Sequence, residues 1–165
     1  MEIIQNEDRK VSPKDVFLHL LAIVTLYASA IALLMLAFDY INVYFPDVLS
    51  GGYNYYSAQG ARQSIRWELS MLVVVFPVYI IVSWFLNKGY EANPPKRNLR
   101  IRKWLVYFTL FAAALIVMGD FVGLIYNLLG GELTVRFFLK ALSVFLVAGS
   151  VFFYYFSDLR RHRVE

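Results

Sequence analysis

Glu132, Arg136 and Lys140 recur at i, i+4 and i+8, so on an α-helix a carboxylate, a guanidinium and an ammonium share one stripe. A short way upstream, Asp120 is the one charged residue in an otherwise apolar run from Trp104 to about Leu128. A charge placed in hydrocarbon costs about 2.5–3.5 kcal/mol on insertion scales, which obliges it to have a partner, a route to water or a task. The task open to these residue types is cation or proton binding at Asp120, with Arg136 and Lys140 setting its protonation or screening it. The structural counterpart is an ion-pair network that fixes helix register. Asp39 and Glu68 stand at the ends of two further apolar runs and join Asp120, Glu132, Arg136 and Lys140 as ligand or ion-binding candidates. For these two, solvation or a salt bridge to Arg62 or Arg66 is the structural alternative. Pro77, in the middle of one run, frees a carbonyl and is a hinge candidate.

Little else in the chain can carry chemistry. With no cysteine there is no disulfide, thiolate metal site, iron–sulfur cluster or thiol nucleophile. The two histidines, His19 and His162, lie near opposite ends and cannot pair as haem ligands within the spans. His19 reads as a headgroup-level or packing residue rather than a proton relay. No HExxH, no phosphate-binding glycine-rich loop and no Ser-His-Asp order is present. The expectation is no catalytic residue, no metal and no cofactor, which favours a protein that is not an enzyme and leaves one alternative open, an enzyme that modifies a quinone or lipid with carboxylates alone.

The elements that position these groups follow from composition. Of 165 residues, 59% are hydrophobic and 17% charged, against about half and a quarter in a soluble domain. A hydrocarbon core of about 30 Å takes about 20 apolar residues in a helix, and four runs qualify. They cover about 16–38, 69–87, 104–128 and 134–155, giving one four-helix transmembrane domain over 1–165, with tails at 1–14 and 158–165. Ala28-Ser29-Ala30 resembles a cleavage site, but the apolar run continues to Phe38, so the first span reads as a retained helix. Twelve of the sixteen Lys and Arg fall in the two tails and the middle loop. The positive-inside rule then places both termini in the cytoplasm, in an antiparallel all-α bundle in the inner membrane. The outer connections are a longer one over Tyr40–Ser64 and a short hairpin over Leu129–Leu133.

Lys96, Arg97, Arg100, Arg102 and Lys103 in the middle loop are expected to touch anionic lipid or a partner. The basic balance needs no nucleic acid to explain it. Within the spans, Ala22, Thr25, Ser29, Ala32 and Asp39 share one helix face, and Thr109, Ala113, Asp120, Gly123 and Asn127 another. Ser143, Ser150 and Tyr154 extend the charged stripe of the fourth helix. Small residues and hydroxyls allow close approach, so these faces are expected to meet inside the bundle. Counting about 1.5 Å per residue from Trp104 puts Asp120 about 24 Å up, and counting from Thr134 puts Lys140 about 9 Å below the outer surface. Those depths nearly coincide, which predicts an Asp120 pair with Lys140 or Arg136.

The segments Arg102-Lys103-Trp104-Leu105-Val106-Tyr107, Gly119-Asp120, and Gly130-Gly131-Glu132-Leu133-Thr134-Val135-Arg136-Phe137-Phe138-Leu139-Lys140, with Tyr154-Tyr155, resemble a family of small four-helix bacterial membrane proteins of unknown function. The resemblance spans essentially the whole chain and implies a four-span bundle with a charged hairpin. It brings no assigned reaction. The expected role is a non-catalytic accessory, assembly or sensor subunit, with an ion or proton-coupled channel or transporter acting as an oligomer as the alternative. The expected partners are the bilayer, anionic lipid at the cytoplasmic face, and either a second copy or a membrane partner protein.

Overall fold

The structure is a computed structural model that describes residues 12–45, 58–94, 99–131 and 134–161. Four helices account for nearly all of it: α1 Pro13–Tyr44, α2 Ala58–Ala92, α3 Arg100–Leu129 and α4 Val135–Arg161. Each is long and apolar enough to cross a membrane. At 27 to 35 residues they run about 40–52 Å, more than a hydrocarbon core alone requires.

Their limits have local causes. Pro13 opens α1 in the first turn, where its missing N–H costs no helix bond. Phe45 leaves the helix at φ −123°, ψ 68°, as steric pressure from the following Pro46 requires. α2 stops at Ala92, just before Asn93-Pro94-Pro95. Gly131 turns the α3–α4 hairpin at φ +70°, a conformation that only glycine adopts cheaply. Thr134 then caps α4, its hydroxyl accepting the Phe137 N–H at 3.2 Å.

One expected boundary is corrected. α1 continues to Tyr44 and α2 begins at Ala58, so the connection between them is shorter than Tyr40–Ser64 and Arg62 lies on α2. Both arginines sit on the exposed first turns of α2, where amphipathic helix outlasts the apolar run. The tyrosine-rich segment 50–56 lies outside the described residues.

α1 is the central helix. It packs on α2, α4 and, more briefly, α3, while α3 and α4 pair as the hairpin demands; the α2 backbone comes close to that of α1 alone, and only side chains link α2 to α3 and α4. Burial follows: in the most apolar 18-residue stretch of each helix, 22% of the residues of α1 are buried against 6% of those of α2. The expected stripe of α1 does face inward, with His19, Ala22, Thr25, Ser29, Ala32 and Asp39 all buried. On α3 burial runs through Leu105, Val106, Thr109 and Ala113 and stops there. The part of the expected face nearer the α3–α4 hairpin stays half-exposed at Asp120, Gly123 and Asn127. A Cβ added at Gly119 or Gly123 would meet nothing within 4 Å, so these glycines do not mediate close helix approach. On α4 the buried residues are Ala141 and Ala148, whereas Ser150 and Tyr154 are exposed.

The hydroxyls mostly bond within their own helices. Thr25 donates to the Leu21 carbonyl at 2.7 Å, Ser29 to Thr25, Ser143 to Leu139 and Ser150 to Leu146. Among the threonines and serines, Thr109 is also engaged across helices: Tyr27 of α1 donates to its Oγ1 at 3.1 Å while Thr109 donates to the Leu105 carbonyl. The small residues of α1 therefore contribute shape to the interior, and their polar atoms are spent locally.

Candidate functional site

Two polar clusters lie at opposite ends of the bundle. At the hairpin end, α1 presents Asp39 and Asn42, α2 presents Glu68, and α4 presents Arg136 and Lys140. Arg136 donates from Nε and a terminal nitrogen to Asn42 Oδ1, at 2.9 and 2.6 Å. Lys140 Nζ sits 5.4 Å from the centre of the Phe38 ring and within electrostatic reach of Asp39. Asp39 and Glu68 are both buried and repel one another across the α1–α2 interface. Glu68 Oε2 has no hydrogen-bond partner among the described residues.

Four of the six candidate residues are thus gathered on α1, but not as the spacing suggested. Among the described residues, no ion pair joins Asp120 to Arg136 or Lys140. The Phe121 and Phe145 rings meet edge to face with centroids 5.5 Å apart, which levels Asp120 with about position 145 of α4. Lys140 lies five residues nearer the hairpin, about 8 Å away along the axis. Counting depth inward from two separate helix ends accumulated that error. The i, i+4 stripe of α4 faces α1 instead, and Asp120 remains on the flank of α3. Nor does a salt bridge to the exposed Arg62 or Arg66 hold Asp39 or Glu68 among the described residues; burial between α1 and α2 turns both acids inward. Glu132, Lys96 and Arg97 lie outside the described residues. α2 continues as helix through Pro77.

This arrangement separates two substitutions that the sequence would group. Asp120→Asn is expected to change the unfolding free energy by no more than about 0.5 kcal/mol, as at an unengaged position. Arg136→Leu orphans Asn42 and is expected to cost about 1–2 kcal/mol. Chemical unfolding in detergent micelles, followed by circular dichroism, reads both.

The second cluster sits at the end that carries the chain termini, and every helix contributes to it. His19 of α1 is buried. Its Nδ1 lies 2.6 Å from the Asp15 carbonyl, which can only accept, so Nδ1 carries the proton. Nε2, 2.5 Å from the Tyr90 hydroxyl of α2, then accepts from that phenol when the ring is neutral. Arg102 of α3 stacks over the Tyr90 ring at 5.0 Å and forms an ion pair with Asp158 of α4. Tyr79 of α2 reaches the hydroxyls of Tyr154 and Tyr155 on α4. These groups line a half-open cavity of about 70 Å³.

Sequence reasoning missed this site. Arg102 is among the residues assigned to lipid or partner contact, and here it is an interior tie, while Arg100 and Lys103 beside it are exposed. His19 is a packing residue, as read, but one whose two ring nitrogens are both engaged. The usable signal was depth: each of the four runs ends, on the termini side, in a polar residue at a similar level.

The described fold is therefore an all-helical bundle of four helices with the length and apolarity of a multi-pass membrane protein. The chain belongs to the family described as a domain of unknown function, DUF5671, which matches residues 15–155. No curated protein and no solved structure matches it. Among the described residues no group of three or more His, Cys, Asp or Glu is placed to hold a metal ion.

Proposed function

We propose that this chain is a non-catalytic subunit of the bacterial inner membrane, crossing it four times with both termini in the cytoplasm, and serving as an accessory, assembly or sensor component. The observation that carries this reading is α2. It is held to the bundle through α1 and turns outward a helix-long apolar flank that includes Trp67, Val73, Val74, Ile81 and Trp84. The centre of the bundle supports it: small side chains fill it, and their hydroxyls are satisfied within their own helices. Lipid accommodates such a flank, and a partner helix recognises it through the same contacts.

A photoreactive residue placed at Val74 tests the reading in intact cells. Crosslinking is expected to give a discrete protein adduct there, and lipid adducts alone at Met118 on the outer face of α3. Lipid adducts alone at both positions would remove the subunit reading. The second reading is a channel or proton-coupled transporter built as an oligomer, and the buried Asp39 and Glu68 favour it. Ion and proton flux through the purified chain in liposomes decides that case. The subunit reading expects none under an imposed potential; flux that disappears in Glu68→Gln would establish the alternative.

A further inference from the structure

A second hollow lies directly above the termini-end cavity. It is an apolar groove of about 580 Å³ with its floor on α1 at Ser29, Ala30 and Leu33 and its walls on α2 at Leu72 and Phe76 and on α4 at Val147. It exists because α2 and α4 both lean on α1 without their backbones approaching each other. Along α1 it runs from Leu26 to Ala37, about 17 Å, roughly one leaflet of hydrocarbon.

The two hollows are in register on three helices at once. The cavity ends at Ile23 on α1, Tyr79 on α2 and Tyr154 on α4, and the groove begins at Leu26, Phe76 and Val151, within a helical turn in each case. Tyr79 with Tyr154 and Tyr155 forms the boundary between them. On one side are phenols, an imidazole edge and an amide; on the other is a wall of aliphatic and aromatic carbon. The inner wall of the polar side is buried, with His19 and Tyr90 at 5% and 7% exposure, and its mouth is open at Asn87 and Tyr154. It is also charge-balanced, because the Arg102 guanidinium is matched by Asp158. A phosphate or carboxylate head would have to break that pair to gain a counter-ion, whereas a hydroxyl or carbonyl head needs only the hydrogen bonds that phenols provide. The cavity has room for several waters, or for a small head that displaces them.

We infer that the cavity and groove together form a binding site for a single-tailed neutral amphiphile, its hydroxyl- or carbonyl-bearing head among Tyr79, Tyr90 and Tyr155 and its acyl or prenyl chain in the groove between α2 and α4. The site goes beyond the subunit reading and does not depend on it. A prenylquinone and a monoacylglycerol share this chemistry, and the test separates them.

Radiolabelled monooleoylglycerol, a short-tailed prenylquinone and dioleoyl phosphatidylglycerol are titrated separately against the purified full chain in detergent. Saturable binding at one per chain is expected for at least one uncharged probe, and the tighter of the two names the head chemistry. Ala30→Trp, which fills the groove, and Tyr79→Phe, which removes a head contact, are each expected to weaken binding about tenfold. Met118→Trp, adding the same bulk on the outside of α3, leaves it unchanged. A monoacylglycerol with a mid-chain diazirine is expected to crosslink the unmodified chain within 26–37 and 143–151, which holds the inference to account if a groove variant fails to fold. Phosphatidylglycerol binding as tightly as either neutral probe would overturn it. So would parent-like affinity in a folded Ala30→Trp, adducts spread over the outer face of α3, or probe binding that falls as the chain self-associates through the groove.

Discussion

Arg102→Ala is expected to lower the unfolding free energy of the bundle by about 3 kcal/mol, while Arg100→Ala, half a turn away, changes it by less than about 0.5 kcal/mol. Chemical unfolding in detergent micelles reads the difference. The argument rests on what the guanidinium joins. Arg102 projects from the first turn of α3, pairs with Asp158 near the end of α4, and covers the ring of Tyr90 near the end of α2. Its side chain is 14% exposed and that of Asp158 25%, so truncation strands a largely sheltered carboxylate. It also removes one of the few links between α2 and the α3–α4 hairpin, since α2 is otherwise held through α1. Asp158→Asn retains an acceptor and is expected to cost about half as much, and Arg102→Lys to fall between, because an ammonium keeps the charge and loses the planar stacking. Equal, negligible effects of Arg102→Ala and Arg100→Ala would return Arg102 to the lipid-facing role that its position in a basic loop suggests.

That contrast locates where sequence was informative. Periodicity is a property of one helix, and the inward stripe of α1 from Ala22 to Asp39 was legible because burying it requires nothing but spacing. The α3–α4 hairpin was legible because its loop is too short for any other arrangement. Partner choice is a property of two helices, and it depends on rotation and axial level to within one turn. Asp120 was assigned to Lys140 from depths counted from different ends, and an offset of about 8 Å was enough to send Lys140 to α1. Arg102 was indistinguishable by type from the other basic residues of its loop; only the convergence of His19, Tyr90 and Asp158, drawn from three other helices, sets it apart. Membership of the DUF5671 family fixes the kinship of residues 15–155 without bearing on which of these contacts matters.

The hairpin-end cluster sets up a test in which one substitution stabilises and its neighbour destabilises. Lys140→Met is expected to cost about 2–4 kcal/mol, because it withdraws a positive charge from a region where Asp39 and Glu68 are both buried. Glu68→Gln is expected to raise stability by about 1 kcal/mol: the amide keeps the shape of the side chain, can donate where the carboxylate cannot, and relieves the repulsion with Asp39. The double variant then loses less than the sum of the single effects predicts, since removing one acid lessens the need for the cation. Arg136 serves as the internal control, being committed to Asn42 by two hydrogen bonds rather than to the acids. The sign of the Glu68→Gln effect is the informative quantity. A structural network becomes more stable when one of two facing carboxylates is neutralised, whereas a pair that holds a metal cation becomes less stable. In the latter case the parent gains stability from sodium over a bulky organic cation at the same ionic strength, and the variant does not. Unfolding curves for parent and variant in the two salts therefore distinguish a register-fixing network from a cation site without any transport assay, and independently of whether α2 binds a partner.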